Sequence, residues 1–231
     1  MIGSGHAGRA CVVGFGQAHR QLIAVMSARP RIAAVCVAAT IALSLAIVAD
    51  GAELGRVEIG AAAPPFSAKG ADGQEHRLGD YAGKVVVLEW TSPVCPFTAV
   101  KYKNGAMQAL QRYAAERHVV WLSIDTAGPD RAGFLSAAAA HQRIASTHAK
   151  VTAFLFDPTG DIGRHYGAKV TPSFFIVDAT GKLVYQGDMD DVGLGQPGTG
   201  RNYVRSALDD LAAGRPVSES ETQPHGCAIE Y

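Results

Sequence analysis

The sequence has no excess of charge of either sign, with 21 lysines and arginines against 21 aspartates and glutamates in 231 residues. It also lacks a basic block and therefore gives no indication of a nucleic-acid partner. It contains no internal repeat. Cysteine is scarce, and the four cysteines are Cys11, Cys36, Cys95 and Cys227. Any thiol chemistry must depend on these few residues.

The sequence also lacks the spacings of common metal and nucleotide sites. His141 and His148 are seven residues apart, but two histidines alone do not make a metal site. The acidic segment 188–191 lacks the glycine and the terminal glutamate of a calcium loop and is predicted to be a solvated loop. The segment 13–19 lacks the third glycine of a dinucleotide-binding fingerprint. We therefore expect no metal and no cofactor.

One apolar run is present, the 18 residues from Ile32 to Ala49. It follows Arg29-Pro30-Arg31 and ends in small residues, a pattern typical of an export signal. A signal of ordinary length would begin at Met26, with cleavage between Ala49 and Ala52. The alternative is a retained membrane anchor, because 18 apolar residues just span a bilayer. The expected location is periplasmic or otherwise extracytoplasmic.

Residues 1–52 are thus assigned to the signal or anchor, 53–217 to one domain and 218–231 to a polar, mobile tail that carries Cys227. Only Cys95 and Cys227 remain in the mature chain. Two cysteines in an exported chain can pair, and either can be chemically active. The domain has room for a proper core.

The domain alternates predicted strands and helices. The run Val85 to Leu88 has no polar alternation, as expected of a strand covered on both faces. The predicted elements that follow it are a helix over 97–117, a strand over 119–124, a helix over 131–148, a short strand over 154–156, a helical turn over 161–166, a hairpin over 173–186 and a closing helix over 202–213. This order predicts an α/β fold with a mixed sheet and helices on its faces.

Cys95 stands between the first central strand and the first helix. Pro96 suits the first helical position because it lacks the N–H that would be unpaired there. A cysteine at this position faces unpaired backbone N–H groups and the positive end of the helix dipole. Both favour the thiolate, which is the reactive form. The competing interpretation is a buried structural cysteine.

The order of elements, with Cys95 after the first strand and Thr171-Pro172 before the hairpin, resembles the thioredoxin superfamily. The stretches Ile59 to Phe66 and Leu78 to Leu88 resemble its redoxin branch, the peroxiredoxin-like alkyl hydroperoxide reductase/thiol-specific antioxidant family. The likeness covers about residues 57–213. It implies a thioredoxin-like fold with a mixed central sheet and helices on both faces, and a thiol-based oxidoreductase.

This sequence departs from both patterns that it resembles. Thioredoxins carry a second cysteine where Thr98 stands here, so a local resolving thiol is absent. Ser92 provides the hydroxyl that peroxiredoxins place three residues before the attacking cysteine. Leu88 replaces their proline, and Thr171-Pro172 stands where they place an arginine. These losses count against efficient peroxide reduction.

The resemblance also assigns site residues. The substrate-contacting residues that it implies are Ser92, Pro96, Thr171 and Pro172, and those implied in catalysis are Cys95, Cys227 and Glu89. Pro172 is expected to be cis and to present backbone to an extended substrate; an ordinary trans proline is the alternative. Glu89 is either a buried carboxylate that relays a proton or a strand-end glutamate that reaches water. Lys101 is predicted to be a solvated surface charge.

Cys227 has two open interpretations. It resolves oxidised Cys95, within one chain or across a homodimer, or it serves a static disulfide or no role. If it resolves Cys95, oxidation links the two residues.

The function predicted from these features is an exported oxidoreductase. In it, Cys95 attacks a hydroperoxide or a protein disulfide, and an external thiol acts as reductant. The alternatives are a disulfide reductase without peroxidase activity, a copper-handling protein and a binding module on the same fold.

Overall fold

The computed structural model describes residues 57–194, 198 and 200–231. The predicted signal or anchor at residues 1–52 therefore lies outside the described residues. In the described part, no helix is both long and apolar enough to cross a bilayer.

The strands of the described chain form one large sheet and one small one. The strands are β1 (Ser67–Gly70), β2 (Glu75–Arg77), β3 (Val86–Trp90), β4 (Val120–Asp125), β5 (Ala153–Phe156), β6 (Val170–Thr171), β7 (Ser173–Val177), β8 (Leu183–Gly187) and β9 (Cys227–Ala228). The large sheet has the order β2-β1-β5-β4-β3-β7-β8, and β6 pairs with β9 separately. Strands β3, β4 and β5 are parallel, whereas β7 runs antiparallel to β3. The sheet is therefore mixed, as predicted.

The helices are α1 (Pro96–Lys103), α2 (Ala106–Ala115), α3 (Ala137–Thr147), α4 (Asp161–Tyr166) and α5 (Tyr203–Ala212), with a 3-10 turn at Leu78–Tyr81. Side chains of β3 alternate between the faces of the sheet. Leu88 and Trp90 pack in a cluster with Tyr166 of α4, whereas Val87 packs in a cluster with residues of α2 and α5. Both faces are covered, which explains the unbroken apolar run of β3.

Two predicted helices differ from the observed ones. The helix predicted over 97–117 is divided into α1 and α2, because Gly105 adopts a left-handed conformation with φ of 79°. The helix predicted over 131–148 begins only at Ala137, where the Ser136 hydroxyl accepts a hydrogen bond from the backbone N–H of Ala139. A side-chain cap of this kind fixes the first turn of a helix.

Candidate redox site

Cys95 directly precedes α1 and is its N-terminal cap residue, with Pro96 in the first turn, as the sequence predicts. The chain reaches this position in five residues from the end of β3. Cys95 is 1% exposed. The thiolate of such a residue would be stabilised by the N-terminal end of the helix and opposed by burial.

Cys227 forms a disulfide with Cys95 across 132 residues of sequence, within a single chain. Their Cα atoms are 5.8 Å apart, within the usual range for a disulfide. Strand β9 places Cys227 opposite Thr171 of β6. The predicted linkage is therefore confirmed in the structure, while the catalytic roles of the two sulfurs remain a prediction.

Gly226 is required for this close approach. A Cβ atom at position 226 would lie 2.1 Å from the carbonyl oxygen of Thr171, where no real side chain fits. The strand that carries Cys227 therefore packs with its backbone directly against Thr171.

The C-terminal tail, residues 218–231, contacts the domain both before and after Cys227. Before it, His225 donates its backbone N–H to Asp188 Oδ2 at 3.0 Å, and the His225 ring contacts the same oxygen. After it, the Tyr231 hydroxyl donates to the carbonyl of Ala168, and the Arg164 guanidinium lies 4.7 Å from the centre of the Tyr231 ring. The prediction of a mobile tail is wrong for this oxidised structure, because these contacts hold the tail against the domain.

The peptide bond between Thr171 and Pro172 is cis, as predicted. The carbonyl oxygen of Thr171 lies 2.9 Å from Cys95 Sγ. A disulfide sulfur carries no hydrogen, so this is a contact that would become a hydrogen bond only with a Cys95 thiol. The structure thus brings Cys95, Pro96, Thr171, Pro172 and Cys227 to one place.

Ser92 lies three residues before Cys95 and is partly buried. Its carbonyl accepts a long hydrogen bond from the Cys95 backbone N–H, at 3.4 Å. Its hydroxyl is 3.1 Å from where a Cβ atom on Gly133 would stand. Ser92 therefore lies near Cys95 and also faces the loop that contains Gly133.

Glu89 is fully buried and does not reach water, so the burial alternative is correct. The Trp121 indole N–H and the Ser123 hydroxyl each donate to Glu89 Oε2 at 2.7 Å. The Tyr102 hydroxyl donates to Oε1 at 3.3 Å, and the Gln111 amide lies at the same cluster. Burial raises the pKa of Glu89, and these hydrogen bonds only partly oppose the rise.

The sequence of the domain that carries this site matches a known protein family. The model of the AhpC/TSA family matches residues 59–186, more than half of the chain. The chain belongs to the AhpC/TSA family. No curated protein matches the sequence.

Solved structures support the same fold for this AhpC/TSA protein. An uncharacterized conserved protein from Geobacillus kaustophilus has 29% identity and a TM-score of 0.68, over 77% of this chain and 94% of that one. A hypothetical protein, SMc02350, from Sinorhizobium meliloti 1021 has 22% identity and a TM-score of 0.67, over 77% and 96% of the two chains. The predicted thioredoxin-like α/β fold is confirmed.

The predictions that Lys101 and the acidic segment 188–191 of this AhpC/TSA chain are solvated are wrong. Lys101 is 4% exposed, because its Nζ donates to the Asp190 carboxylate and, at 2.7 Å, to the carbonyl of Val192. Asp190 and Asp188 are 8% and 5% exposed, so the acidic segment is not a solvated loop. The contacts of Lys101 with Asp190 and Val192 therefore hold this segment against α1.

Thr98 occupies the position of the missing second cysteine. It is fully buried, and its hydroxyl has no hydrogen-bond partner among the described residues. Within the same part of the chain, no group of three or more histidine, cysteine, aspartate and glutamate side chains could hold a metal.

Sequence reasoning missed the residues that hold the tail in place. They are Gly226, His225 with Asp188, and Tyr231 with its contacts on α4. The Gly-Cys dipeptide was an available signal for a close backbone approach. The other contacts join residues far apart in sequence and leave no local pattern.

Proposed function

We propose that this protein is an exported thiol-disulfide oxidoreductase whose redox couple is Cys95 and Cys227. The observation that carries the proposal is the disulfide between a cysteine at the start of α1 and a cysteine paired with the strand before cis-Pro172. Family membership supports thiol chemistry as the activity class.

The cycle begins with the reduced protein. The Cys95 thiolate attacks one sulfur of a protein disulfide, and the other substrate sulfur leaves as a thiolate that takes up a proton. Cys227 then attacks Cys95 Sγ in the mixed disulfide and releases the second substrate thiol. The substrate is thereby reduced by two electrons, and the Cys95–Cys227 disulfide forms. An external thiol restores the reduced protein.

A hydroperoxide is the other candidate substrate, and Ser92 near Cys95 is the feature that supports it. The thiolate would attack the peroxide oxygen to form a sulfenic acid and release an alcohol or water. Cys227 would then displace water and form the same disulfide. Leu88 and the Thr171-Pro172 step, which replace residues of efficient peroxidases, favour disulfide exchange as the main activity.

Glu89 is proposed as a proton relay for this chemistry. Burial raises its pKa, so Glu89 holds its proton to a higher pH than an ordinary carboxyl does, which suits a proton donor and acceptor. Its hydrogen-bond partners are Tyr102, Gln111, Trp121 and Ser123, and neither cysteine is among those described. Proton transfer to a sulfur would therefore require movement or a bridging water.

The direct test is a redox titration of the wild-type protein, Cys95→Ser and Cys227→Ser in glutathione buffers, followed by thiol labelling and mass spectrometry. We expect reversible formation of one disulfide in the wild type and none in either variant. Insulin reduction and hydrogen peroxide consumption, measured in parallel, separate the two substrate classes. Wild-type protein whose thiols both stay free in oxidising buffer would refute the proposal.

A further inference from the structure

The two cysteines of the Cys95–Cys227 disulfide differ in their exposure to solvent. Cys95 is 1% exposed, whereas Cys227 is only half-buried. A thiol approaching from outside therefore meets the Cys227 side of the bond. Attack on a disulfide depends on which sulfur can be reached, as well as on the leaving group.

A pocket of about 200 Å³ opens beside this bond, and Cys227 lines it. Its walls include Thr91 and Ser92 before α1, and Thr126 and Ala132 from the loop after β4. Cys95 is not among its lining residues. The volume is sufficient for a single cysteine side chain and is small for a larger ligand.

One residue that lines the pocket, Thr91, carries a hydroxyl without a hydrogen-bond partner in the described part of the chain. Thr91 is 2% exposed. A buried hydroxyl without a partner is unfavourable, but this oxygen is closed off from solvent, so a group in the pocket would reach it only after a local movement.

We propose that the reducing thiol enters this pocket and attacks Sγ of Cys227, so that Cys95 is the leaving group. The proposal rests on the redox function proposed above. The reductant thiolate forms a new S–S bond to Cys227, the Cys95–Cys227 bond breaks, and its electron pair stays on Cys95. A second reductant thiolate attacks the reductant's sulfur in the mixed disulfide, which yields an oxidised reductant dimer and the Cys227 thiolate.

The position of Cys95 supports its role as leaving group. Its sulfur leaves as a thiolate at the N-terminal end of α1, where the helix dipole stabilises negative charge. A thiol with a lower pKa leaves faster. Substrate reduction and regeneration of the protein thus begin at different sulfurs: Cys95 attacks the substrate, and Cys227 receives the reductant.

The first experiment identifies the sulfur that receives the reductant. Oxidised wild-type protein is mixed with limiting glutathione, quenched with acid at increasing times, alkylated and analysed by peptide mass spectrometry. The earliest adduct should carry glutathione on Cys227 and an alkyl group on Cys95. The reverse assignment in the earliest sample would overturn the proposal. The same experiment with a thioredoxin retaining one cysteine tests whether a protein thiol uses the pocket as well.

The second experiment narrows the pocket. Ala132 is an exposed lining residue, so Ala132→Leu should fill the pocket mouth and leave the core intact. We expect the rate constant for reduction by glutathione to fall at least tenfold, with the redox equilibrium unchanged within twofold. Ala138→Leu changes an exposed alanine on α3 outside this pocket; it is the matched control and should retain the wild-type rate.

The outcomes separate this proposal from the function on which it rests. If Ala132→Leu is reduced at the wild-type rate, entry through the pocket is wrong, although the redox couple stands. If neither glutathione nor excess dithiothreitol opens the wild-type disulfide, the proposed function fails as well.

Discussion

Asp125 carries a buried carboxyl at the end of β4, directly before Thr126 of the pocket beside Cys227. Burial raises its pKa from 3.8 to about 7, although the charge of Arg143 and a hydrogen bond from the Leu135 backbone oppose the rise. The folded protein therefore holds this proton across a pH range in which the unfolded chain has lost it. Asp125 is thus a group through which pH acts on stability.

We predict that Asp125 makes the protein less stable as pH rises. The contribution of Asp125 to the free energy of unfolding is fully present below pH 3.8. It is lost as pH rises through the folded pKa of about 7. The loss amounts to at most about 4 kcal/mol by linkage. Asp125→Asn should reduce this fall in stability, as measured by urea unfolding at pH 5, 7 and 9, while the buried Glu89 and Asp157 keep their own smaller part of it. Asp130→Asn, an exposed acid, should keep it. Equal slopes in wild type and Asp125→Asn would contradict the prediction.

Single residues were predictable where their role is local. The position of Cys95 follows from the end of a strand and Pro96, and the cis bond follows from Thr171-Pro172. Lys101 was not predictable in this way, because its partner Asp190 is 89 residues away. A lysine near the end of a short helix is usually solvated, and only the tertiary fold reveals the buried ion pair.

At the scale of elements, the C-terminal tail behaves as an added strand with anchors at each end. After Cys227, the Tyr231 ring lies against Gly160 and Gly163, where a Cβ atom on Gly163 would be 2.6 Å from the Tyr231 hydroxyl oxygen. The Arg131 guanidinium also donates to a main-chain oxygen of Tyr231 at 3.1 Å. Wherever the tail stays docked after the disulfide opens, these contacts would raise the local concentration of Cys227 near Cys95.

We predict that Tyr231→Ala makes the Cys95–Cys227 disulfide easier to reduce. The substitution removes the Tyr231 contact from every oxidised molecule, because the disulfide keeps the tail docked. Among reduced molecules, it removes the contact only from those whose tail is docked. The oxidised form is therefore destabilised more than the reduced form. The equilibrium constant against glutathione should therefore shift at least tenfold, or about 1.4 kcal/mol.

Gly163→Ala tests the same Tyr231 contact from the α4 side, since its methyl group would displace the Tyr231 ring. It should shift the glutathione equilibrium in the same direction. Gly79→Ala is the matched control, because a Cβ atom there meets nothing within 4 Å. An unchanged glutathione equilibrium in both Tyr231→Ala and Gly163→Ala would show that the Tyr231 contacts do not position Cys227.

The strands were easier to predict than the helix boundaries. The uninterrupted apolar residues of β3 and β4 match their buried positions between two layers of helices. The break between α1 and α2 depends on the left-handed conformation of Gly105, and a glycine is compatible with either a continuous or a broken helix. The docking of the tail depends on contacts with α4 and with Asp188, which no periodicity in the tail encodes.

At the scale of the whole molecule, the disulfide closes a loop with a sequence separation of 132 residues. Cross-linking a loop of this length restricts the unfolded chain and stabilises the fold by about 5 kcal/mol in the chain-entropy model. The oxidised and reduced proteins should therefore differ in stability even where their folded structures are alike.

We predict that reduction lowers Tm by roughly 10–20 °C, the shift that corresponds to this free energy for a domain of this size. Differential scanning calorimetry with and without reductant measures it. Cys227→Ser should melt at the reduced temperature under both conditions, since it cannot form the bond. Equal Tm values for oxidised and reduced wild type would count against the closed loop as a stabilising element.

The proposed export of the protein is tested at its N-terminus. If Arg29 to Ala52 act as a cleaved signal, the exported protein should begin near residues 50–53. N-terminal sequencing of the extracytoplasmic fraction measures this directly. Membrane-bound protein that begins at Ile2 or Ser27 would instead support a retained anchor.

The long separation between the paired cysteines also orders events during synthesis. Cys95 leaves the ribosome 132 residues before Cys227, an interval of roughly 7–26 s at ordinary elongation rates. Throughout that interval, the cysteines of its own chain already made are Cys11 and Cys36, both upstream of the domain. A chain released before residue 227 must therefore carry Cys95 without its structural partner, so no oxidant can close the Cys95–Cys227 bond in it.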